Sequence, residues 1–64
     1  MVNIFVLRSE SPSGHALFVR YIVNGDVVEV SQYMDSDLIS EREMTREAAR
    51  RDYRERLLSG WMRA

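Results

Sequence analysis

Residues 45–61, TREAARRDYRERLLSGW, combine a helix start signal, an apolar face and a stop signal in one segment. Thr45 is a favourable N-cap residue, and Glu47 lies in the first turn, where the helix dipole favours negative charge. Gly60 is placed to end the helix in the left-handed conformation. Apolar residues recur at every fourth position: Ala49, Tyr53, Leu57 and Trp61. The segment therefore predicts a helix with one apolar stripe, suited to packing across a sheet.

Two runs of β-branched and aromatic residues, 15–23 and 27–33, predict the hairpin on which this helix packs. They flank Asn24-Gly25, a pair that favours a two-residue type I′ turn because both residues tolerate positive φ. Taking Asn24 and Gly25 as the loop sets the cross-strand pairs Tyr21–Val28, Val19–Val30 and Arg20–Glu29. The predicted register therefore includes an opposite-charge pair.

The two faces of this hairpin have different predicted roles. The helix is expected to cover the face formed by Val19, Tyr21, Val28 and Val30. Phe18 and Ile22 lie on the other face, which is more apolar than contact with water requires. They are either scattered exposed apolar residues, which are common, or part of a contact surface.

The remaining segments complete the predicted architecture. Residues 2–7 predict a strand with two apolar faces, either central in its sheet or covered on both sides. Residues 38–44 read as a further strand or as a first helical turn, and we favour the extended form because Thr45 is the better helix start. The predicted fold is α+β. It has an antiparallel meander sheet of three or four strands and one C-terminal helix packed on one face, in a single domain of residues 1–64.

A chain of 64 residues without cysteine has few ways to stabilise its fold. Domains of this size bury only about 60% of the surface that the unfolded chain exposes, and many rely on disulfides, a metal or association. His15 is the only histidine, and one histidine without cysteine does not form a zinc site. We therefore expect no cofactor or metal. Association, with a second copy or with another protein, is the expected source of extra stability.

No segment predicts export or membrane insertion. The apolar run 2–7 is too short for a signal-peptide core and follows no basic residue. No stretch approaches the roughly 20 apolar residues that span a bilayer. We expect a cytoplasmic protein that does not bind a membrane.

The sequence shows no catalytic constellation. His15 has no nucleophile or carboxylate at a recognisable spacing, so it reads as a polar residue at a strand end. The acidic residues Asp35, Asp37, Glu41 and Glu43 lack the order of an EF-hand loop and predict a solvated turn. We therefore predict that the chain is not an enzyme.

All nine basic residues are arginines, and three of them follow one another at four-residue intervals on the predicted helix: Arg46, Arg50 and Arg54. Arginine binds carboxylates and phosphates in bidentate fashion. Three interpretations of this row are open. It is a solvated face in which the arginines form ion pairs with Glu47, Asp52 and Glu55, or it contacts another protein, or it contacts a nucleic acid. The net charge of −1 disfavours nucleic acid. Trp61 either completes the core or anchors an interface.

The pattern M-T-x-x-A-A-R-x-x-Y-x-x-x-L-L-x-G-W over residues 44–61 resembles the helical ending of short uncharacterised proteins of cyanobacteria and their phages. In that family, β-strands precede a helix of the type T-x-E-A-R-x-x-Y-x-x-L-x-x-G-W. Here Glu47 takes the position of the acid, and two alanines follow it instead of one. The resemblance covers about a quarter of the chain. It implies a small accessory or regulatory protein and carries over no catalytic residue.

Together these features predict a small binding or regulatory protein that docks on a larger protein or complex. The predicted partner-binding residues are Arg46, Arg50, Arg54, Phe18, Ile22 and Trp61. The alternative is a nucleic-acid-binding protein that uses the same arginine-rich helix. Association into a homodimer stays open.

Overall fold

The structure is a computed structural model and describes residues 3–64. Its elements are β1 Asn3–Glu10, β2 Ala16–Asn24, β3 Val27–Met34, β4 Asp37–Thr45, α1 Arg46–Leu58 and β5 Met62–Arg63. The five strands form one antiparallel sheet in the order β4-β3-β2-β1-β5. This confirms the predicted α+β meander with one C-terminal helix, although it has five strands in place of three or four. Val2 of the predicted first strand lies outside the described residues. Within them, α1 is the single helix and is too short and too polar to cross a bilayer.

The helix begins and ends where its sequence predicts. The Thr45 Oγ1 atom accepts a hydrogen bond from the Ala48 N–H group at 3.2 Å, which confirms Thr45 as the N-cap. At the other end, Gly60 has a φ of +102°, and the Trp61 N–H group donates to the Arg56 carbonyl oxygen at 3.0 Å. These are the features of a Schellman motif, in which glycine takes the left-handed conformation without strain.

This C-terminal turn returns the chain to the sheet and produces β5, which the sequence did not predict. Met62 and Arg63 pair with Arg8 and Leu7 of β1. β1 therefore has hydrogen-bonded neighbours on both sides, as its apolar composition predicts for a central strand. Its outer face is not covered, since Ile4 is 59% exposed.

The β2–β3 hairpin forms, but the predicted register is wrong by two residues. Asn24 pairs with Val27, so the loop consists of Gly25 and Asp26 and not of Asn24 and Gly25. Only Gly25 has a positive φ in this turn, at +64°. A glycine at the first loop position favours a type II′ turn, whereas type I′ requires positive φ at both positions.

The register change separates the predicted ion pair but leaves the faces unchanged. Arg20 lies opposite Ser31, and Glu29 lies opposite Ile22. Side chains alternate with a period of two along a strand, so a shift of two residues keeps each one on its predicted face. Tyr21, now opposite Val30, still points toward α1.

Residues 38–44 are extended, as favoured by the sequence, and belong to β4. This strand pairs along its length with β3 and contains one bulge. Gln32 pairs with Ser40 while Tyr33 pairs with Leu38, so Ile39 is the extra residue. The tight turn before β4 is closed by Asp35, the only residue other than glycine with a positive φ among residues 3–64, at +55°.

The core lies between α1 and one face of the sheet. Its buried apolar residues are Leu7, Val19, Tyr21, Val28, Val30 and Ala49. Tyr53, Leu57 and Trp61 pack against this cluster from the helix side. The helix stripe therefore covers the four hairpin residues that the sequence assigned to it.

A polar network joins the sheet to the helix at the edge of this core. The Tyr21 hydroxyl donates to Asp52 Oδ2, and Arg56 Nε donates to the same oxygen at 3.0 Å. Burial, and then the hydrogen bond to Asp52, raise the pKa of Tyr21 well above its ordinary value. Burial alone would raise the pKa of Asp52, but the hydrogen bonds from Tyr21 and Arg56 outweigh it and hold that pKa below its usual range.

We expect Leu7→Ala to destabilise the domain by about 2–5 kcal/mol, because Leu7 is fully buried and the substitution leaves a cavity. A core of this size supplies only about 3–5 kcal/mol, so the variant should be largely unfolded at room temperature. Urea denaturation followed by circular dichroism measures the change. Leu58→Ala is the matched control, since Leu58 is 82% exposed, and should change stability by less than about 0.5 kcal/mol. Equal losses in the two variants would contradict the described core.

We expect Asp52→Asn to cost about 1 kcal/mol at neutral pH, because it removes the charge that accepts two hydrogen bonds. The folded-state pKa of Asp52 lies below its unfolded value, near 3.9 in an unperturbed chain. Its ionised form therefore stabilises the fold above that value, and this contribution is lost as the pH falls through the folded-state pKa. The difference between wild type and variant should shrink between neutral pH and pH ~3. Asp37→Asn, at an exposed carboxylate, is the matched control and should change the stability by less than about 0.5 kcal/mol.

Candidate functional site

The six residues predicted to bind a partner lie on two opposite sides of the sheet. Arg46, Arg50 and Arg54 are exposed on α1. Phe18 and Ile22 alternate along β2 with core residues and therefore point away from the helix. One flat partner surface cannot contact both groups at once. The predicted partner-binding residues therefore belong to two surfaces, one on the helix side and one on the opposite face of the sheet.

On the helix side, Arg46 and Arg50 border an apolar cleft of about 230 Å³. The backbone of α1 runs closest to β3 and β4, so the adjoining ends of β1 and β2 are left partly uncovered. Phe5 and Tyr53 form the aromatic walls, Asn3 lies at the rim, and the floor consists of core residues. The cleft therefore combines an apolar interior with two cationic side chains and one amide at its opening.

The aromatic walls of the cleft are held in place by neighbouring side chains. The ring of Tyr53 meets the ring of Phe5 edge-on, with centroids 6.1 Å apart, and that of Tyr21 likewise at 5.5 Å. The Tyr53 hydroxyl accepts a hydrogen bond from Arg63 Nε at 3.3 Å. Phe5 remains 47% exposed in this arrangement. The cleft is thus largely pre-formed and presents aromatic surface to solvent.

The arginines of the cleft form no ion pair with the part of the chain that the structure describes. Between residues 3 and 64, the only carboxylates within 4.0 Å of a histidine or arginine nitrogen are Asp35, next to His15, and Asp52, next to Arg56. Of the three helix acids, Asp52 forms an ion pair, with Arg56, whereas neither Glu47 nor Glu55 has an arginine of residues 3–64 within that distance. Arg46 and Arg50 therefore keep their guanidinium donors for solvent or a ligand.

Arg54 and Trp61 lie on the helix side but outside the cleft. Arg54 is exposed one turn beyond Arg50 and does not line the cavity. Trp61 packs against the core, and the Arg56 guanidinium lies 4.9 Å from its ring centroid. Part of the indole is therefore in contact with residues of the same domain. Its role as an interface anchor stays a prediction.

His15 has a carboxylate partner that its sequence context did not predict. The His15 Nδ1 atom lies 2.9 Å from Asp35 Oδ2, and the Ala16 N–H group donates to Asp35 Oδ1 at 3.1 Å. The hydrogen bond to His15, and then that from Ala16, hold the pKa of Asp35 below its usual range. The β2–β3 register brings His15 and Asp35 together. In the last pair of the ladder, Leu17 lies two residues after His15 and Met34 immediately precedes Asp35.

The His15–Asp35 pair lacks the other parts of a catalytic site. Both side chains are about half exposed, and neither lines the cleft beside α1. Ser11, the nearest candidate nucleophile, bonds through its Oγ to the His15 backbone N–H and to the Ser13 hydroxyl. Among residues 3–64, no three acidic or histidine side chains are grouped so as to hold a metal ion. The pair serves to fasten the loop of residues 11–15 to the β3–β4 turn.

This chain matches none of the known proteins with which it was compared. No protein-family model matches it, and neither does any curated protein or solved structure. The resemblance of residues 44–61 to cyanobacterial and cyanophage proteins stays a prediction. The site must therefore be interpreted from its own geometry.

Proposed function

We propose that this chain is a small non-catalytic binding protein that docks on a larger protein through the cleft beside α1. The observation that carries the proposal is the pairing of an exposed aromatic wall with two arginines that have no ion-pair partner in residues 3–64. Aromatic and arginine side chains supply much of the binding energy at protein interfaces. Regulation by occupying part of a larger complex is consistent with residues 3–64, in which no catalytic groups are assembled.

The dimensions of the cleft indicate what it receives. Its volume of about 230 Å³ lies below the roughly 300–1,000 Å³ of typical small-molecule pockets, and its openness to one side suits a protruding side chain. Phe5 and Tyr53 offer an apolar, edge-exposed surface for that side chain. Arg46 and Arg50 lie where they can bind carboxylates next to it. The partner segment is therefore a large apolar residue flanked by acidic residues.

Charge distribution favours a protein partner over a nucleic acid. The same helix carries Glu47, Asp52 and Glu55 between its arginines, and the whole chain has a net charge of −1. A nucleic-acid surface usually shows an excess of basic charge along one face, because it must neutralise several phosphates. Two arginines around an apolar cleft provide selective contact with carboxylates and little long-range attraction to a polyanion.

The proposal predicts that Arg50→Glu weakens partner binding by at least about tenfold, the loss expected when a charge-assisted hydrogen bond is replaced by repulsion. A photoreactive residue in place of Asn3 identifies the partner by cross-linking in native cells, and its affinity for each variant is then measured with purified components. Arg51→Glu is the matched control, because it makes the same charge change one residue away, outside the cleft. It should change the affinity by less than about twofold.

Two further measurements distinguish the apolar contribution to partner binding from the electrostatic one. Phe5→Ala should also weaken binding, because it removes one wall of the cleft. Replacing Arg46, Arg50 and Arg54 together with glutamate should abolish capture without changing the circular dichroism spectrum. Equal effects of Arg50→Glu and Arg51→Glu would refute the cleft as the binding site. Capture that disappears on nuclease treatment would instead indicate a nucleic acid.

A further inference from the structure

Among the described residues that line the cleft beside α1, the two charged ones lie on the same side. Arg46 and Arg50 line it from the helix, one turn apart, whereas the opposite rim on β1 carries the uncharged Asn3 and Phe5. Helix residues four positions apart have Cβ atoms about 5–6 Å from each other, so both guanidinium groups can reach one carboxylate. The cleft therefore offers its charged donors to a single anionic group at its helix side.

This anionic group must lie close to the apolar interior of the cleft. Ala49, a core residue, immediately precedes Arg50 and lines the same cleft. In an extended partner segment, the neighbours of an inserted residue point away from the cleft, and the next residues on the same side are about 6.5–7 Å along the chain. The main-chain carboxylate of a C-terminal residue, in contrast, is attached to the same Cα as the inserted side chain. A chain terminus therefore brings the charge and the apolar group together without ordering a second side chain.

The hydrogen-bonding groups at the rim also fit a chain terminus. Arginine carries N–H donors and no acceptor. An internal residue is followed by a further backbone N–H group, which would lie against the arginines and lack an acceptor there. A terminal carboxylate has two accepting oxygens and no following N–H group. On the opposite rim, the side-chain oxygen of Asn3 offers an acceptor to the N–H group of the terminal residue itself.

The free edge of β1 beside the cleft favours a polypeptide over a small carboxylic acid. β5 pairs with β1 at Leu7 and Arg8, and the Ala64 N–H group donates to the Val6 carbonyl oxygen. Backbone groups alternate in direction along a strand, so those of Ile4 point to the same edge, where no strand of residues 3–64 lies beside them. An extended chain that leaves the cleft over this edge can form hydrogen bonds with them.

We propose that the cleft receives the C-terminal residue of its protein partner, a large apolar residue whose main-chain carboxylate is bound by Arg46 and Arg50. This inference rests on the function proposed above, and it identifies one of the carboxylates beside the inserted side chain as the end of the partner chain. Phe5 and Tyr53 contact the inserted side chain over the floor of core residues. The cavity of about 230 Å³ holds this one side chain, and the preceding residues of the partner lie outside it.

Titration of the isotope-labelled protein with three small probes, followed by NMR spectroscopy, tests the inference before the partner is identified. N-Acetylphenylalanine carries the apolar side chain and the carboxylate, and it should shift the amide signals of Phe5, Ala49 and Arg50 with a Kd on the order of 1 mM. N-Acetylphenylalaninamide, in which a neutral amide replaces the carboxylate, should bind at least about tenfold more weakly. N-Acetylglycine, which lacks the side chain, should bind at least about tenfold more weakly as well.

Two double variants connect this preference to the arginines of the cleft. In Arg46→Gln/Arg50→Gln, each glutamine keeps a hydrogen-bond donor but has no charge, so the acid and the amide should bind with affinities within about twofold of each other. Arg51→Gln/Arg54→Gln is the matched control, because it makes the same charge change on the same helix outside the cleft. It should retain the preference of about tenfold for the acid. All four arginines are exposed, and circular dichroism verifies that both variants are folded.

Equal affinities of the wild type for the acid and the amide would overturn the inference and leave docking through the cleft intact. The absence of any shift of the cleft signals by N-acetylphenylalanine up to about 20 mM would overturn it too.

The partner that is cross-linked through position 3 provides a second test. Extending its C terminus by a pair of glycines replaces the carboxylate with a peptide bond, and should weaken binding at least about tenfold. An unchanged affinity would show that an internal segment occupies the cleft. Failure of the docking proposal is recognised separately, by equal effects of Arg50→Glu and Arg51→Glu on the affinity for the partner.

Discussion

The packing of α1 on a single face of the sheet is the constraint from which the rest of the structure follows. Among residues 3–64, six apolar residues are buried, and Ala49 is the only one of them that belongs to the helix. Burying the apolar face of Val19, Tyr21, Val28 and Val30 supplies most of the free energy that orders the strands. The Tyr21–Asp52–Arg56 network then fixes the helix relative to β2, because its polar groups are partly buried and must be satisfied together.

One helix cannot cover a five-stranded sheet on both sides, and this creates the two candidate surfaces. On the helix side, α1 lies nearer to β3 and β4, which leaves the cleft beside Phe5 and Tyr53. On the other side, the whole face around Arg20 is free of any element in residues 3–64. Both surfaces contain arginine next to an aromatic ring, so both combine apolar contact with a directed charge. The same small core that limits stability therefore leaves apolar and charged groups available to other chains.

The hairpin shows where local sequence signals fail. Asn24-Gly25 is a strong turn signal, yet the turn uses Gly25-Asp26, and Arg20 loses the predicted contact with Glu29. The choice between these turns involves a small local energy difference, whereas the ladder with β1 and β4 adds many hydrogen bonds that depend on register. The predicted face of each hairpin side chain is nevertheless correct, because a shift of two residues does not change which face of the sheet a side chain points to. The wrong register therefore misplaced only the cross-strand partners within the hairpin, such as Ser31 opposite Arg20.

By itself, the sequence determined the elements whose causes are local. Thr45 and Gly60 set the ends of the helix, the four-residue apolar repeat set its buried side, and alternation set which hairpin residues lie beneath it. Tertiary structure alone decided what depends on residues far apart in the chain. These features are β5 beside β1, the contact of His15 with Asp35, and the cleft that the position of α1 leaves beside Phe5 and Tyr53. The physical reason is that a cap or stripe is fixed by neighbours within a turn, whereas register and adjacency are fixed only when the whole sheet forms.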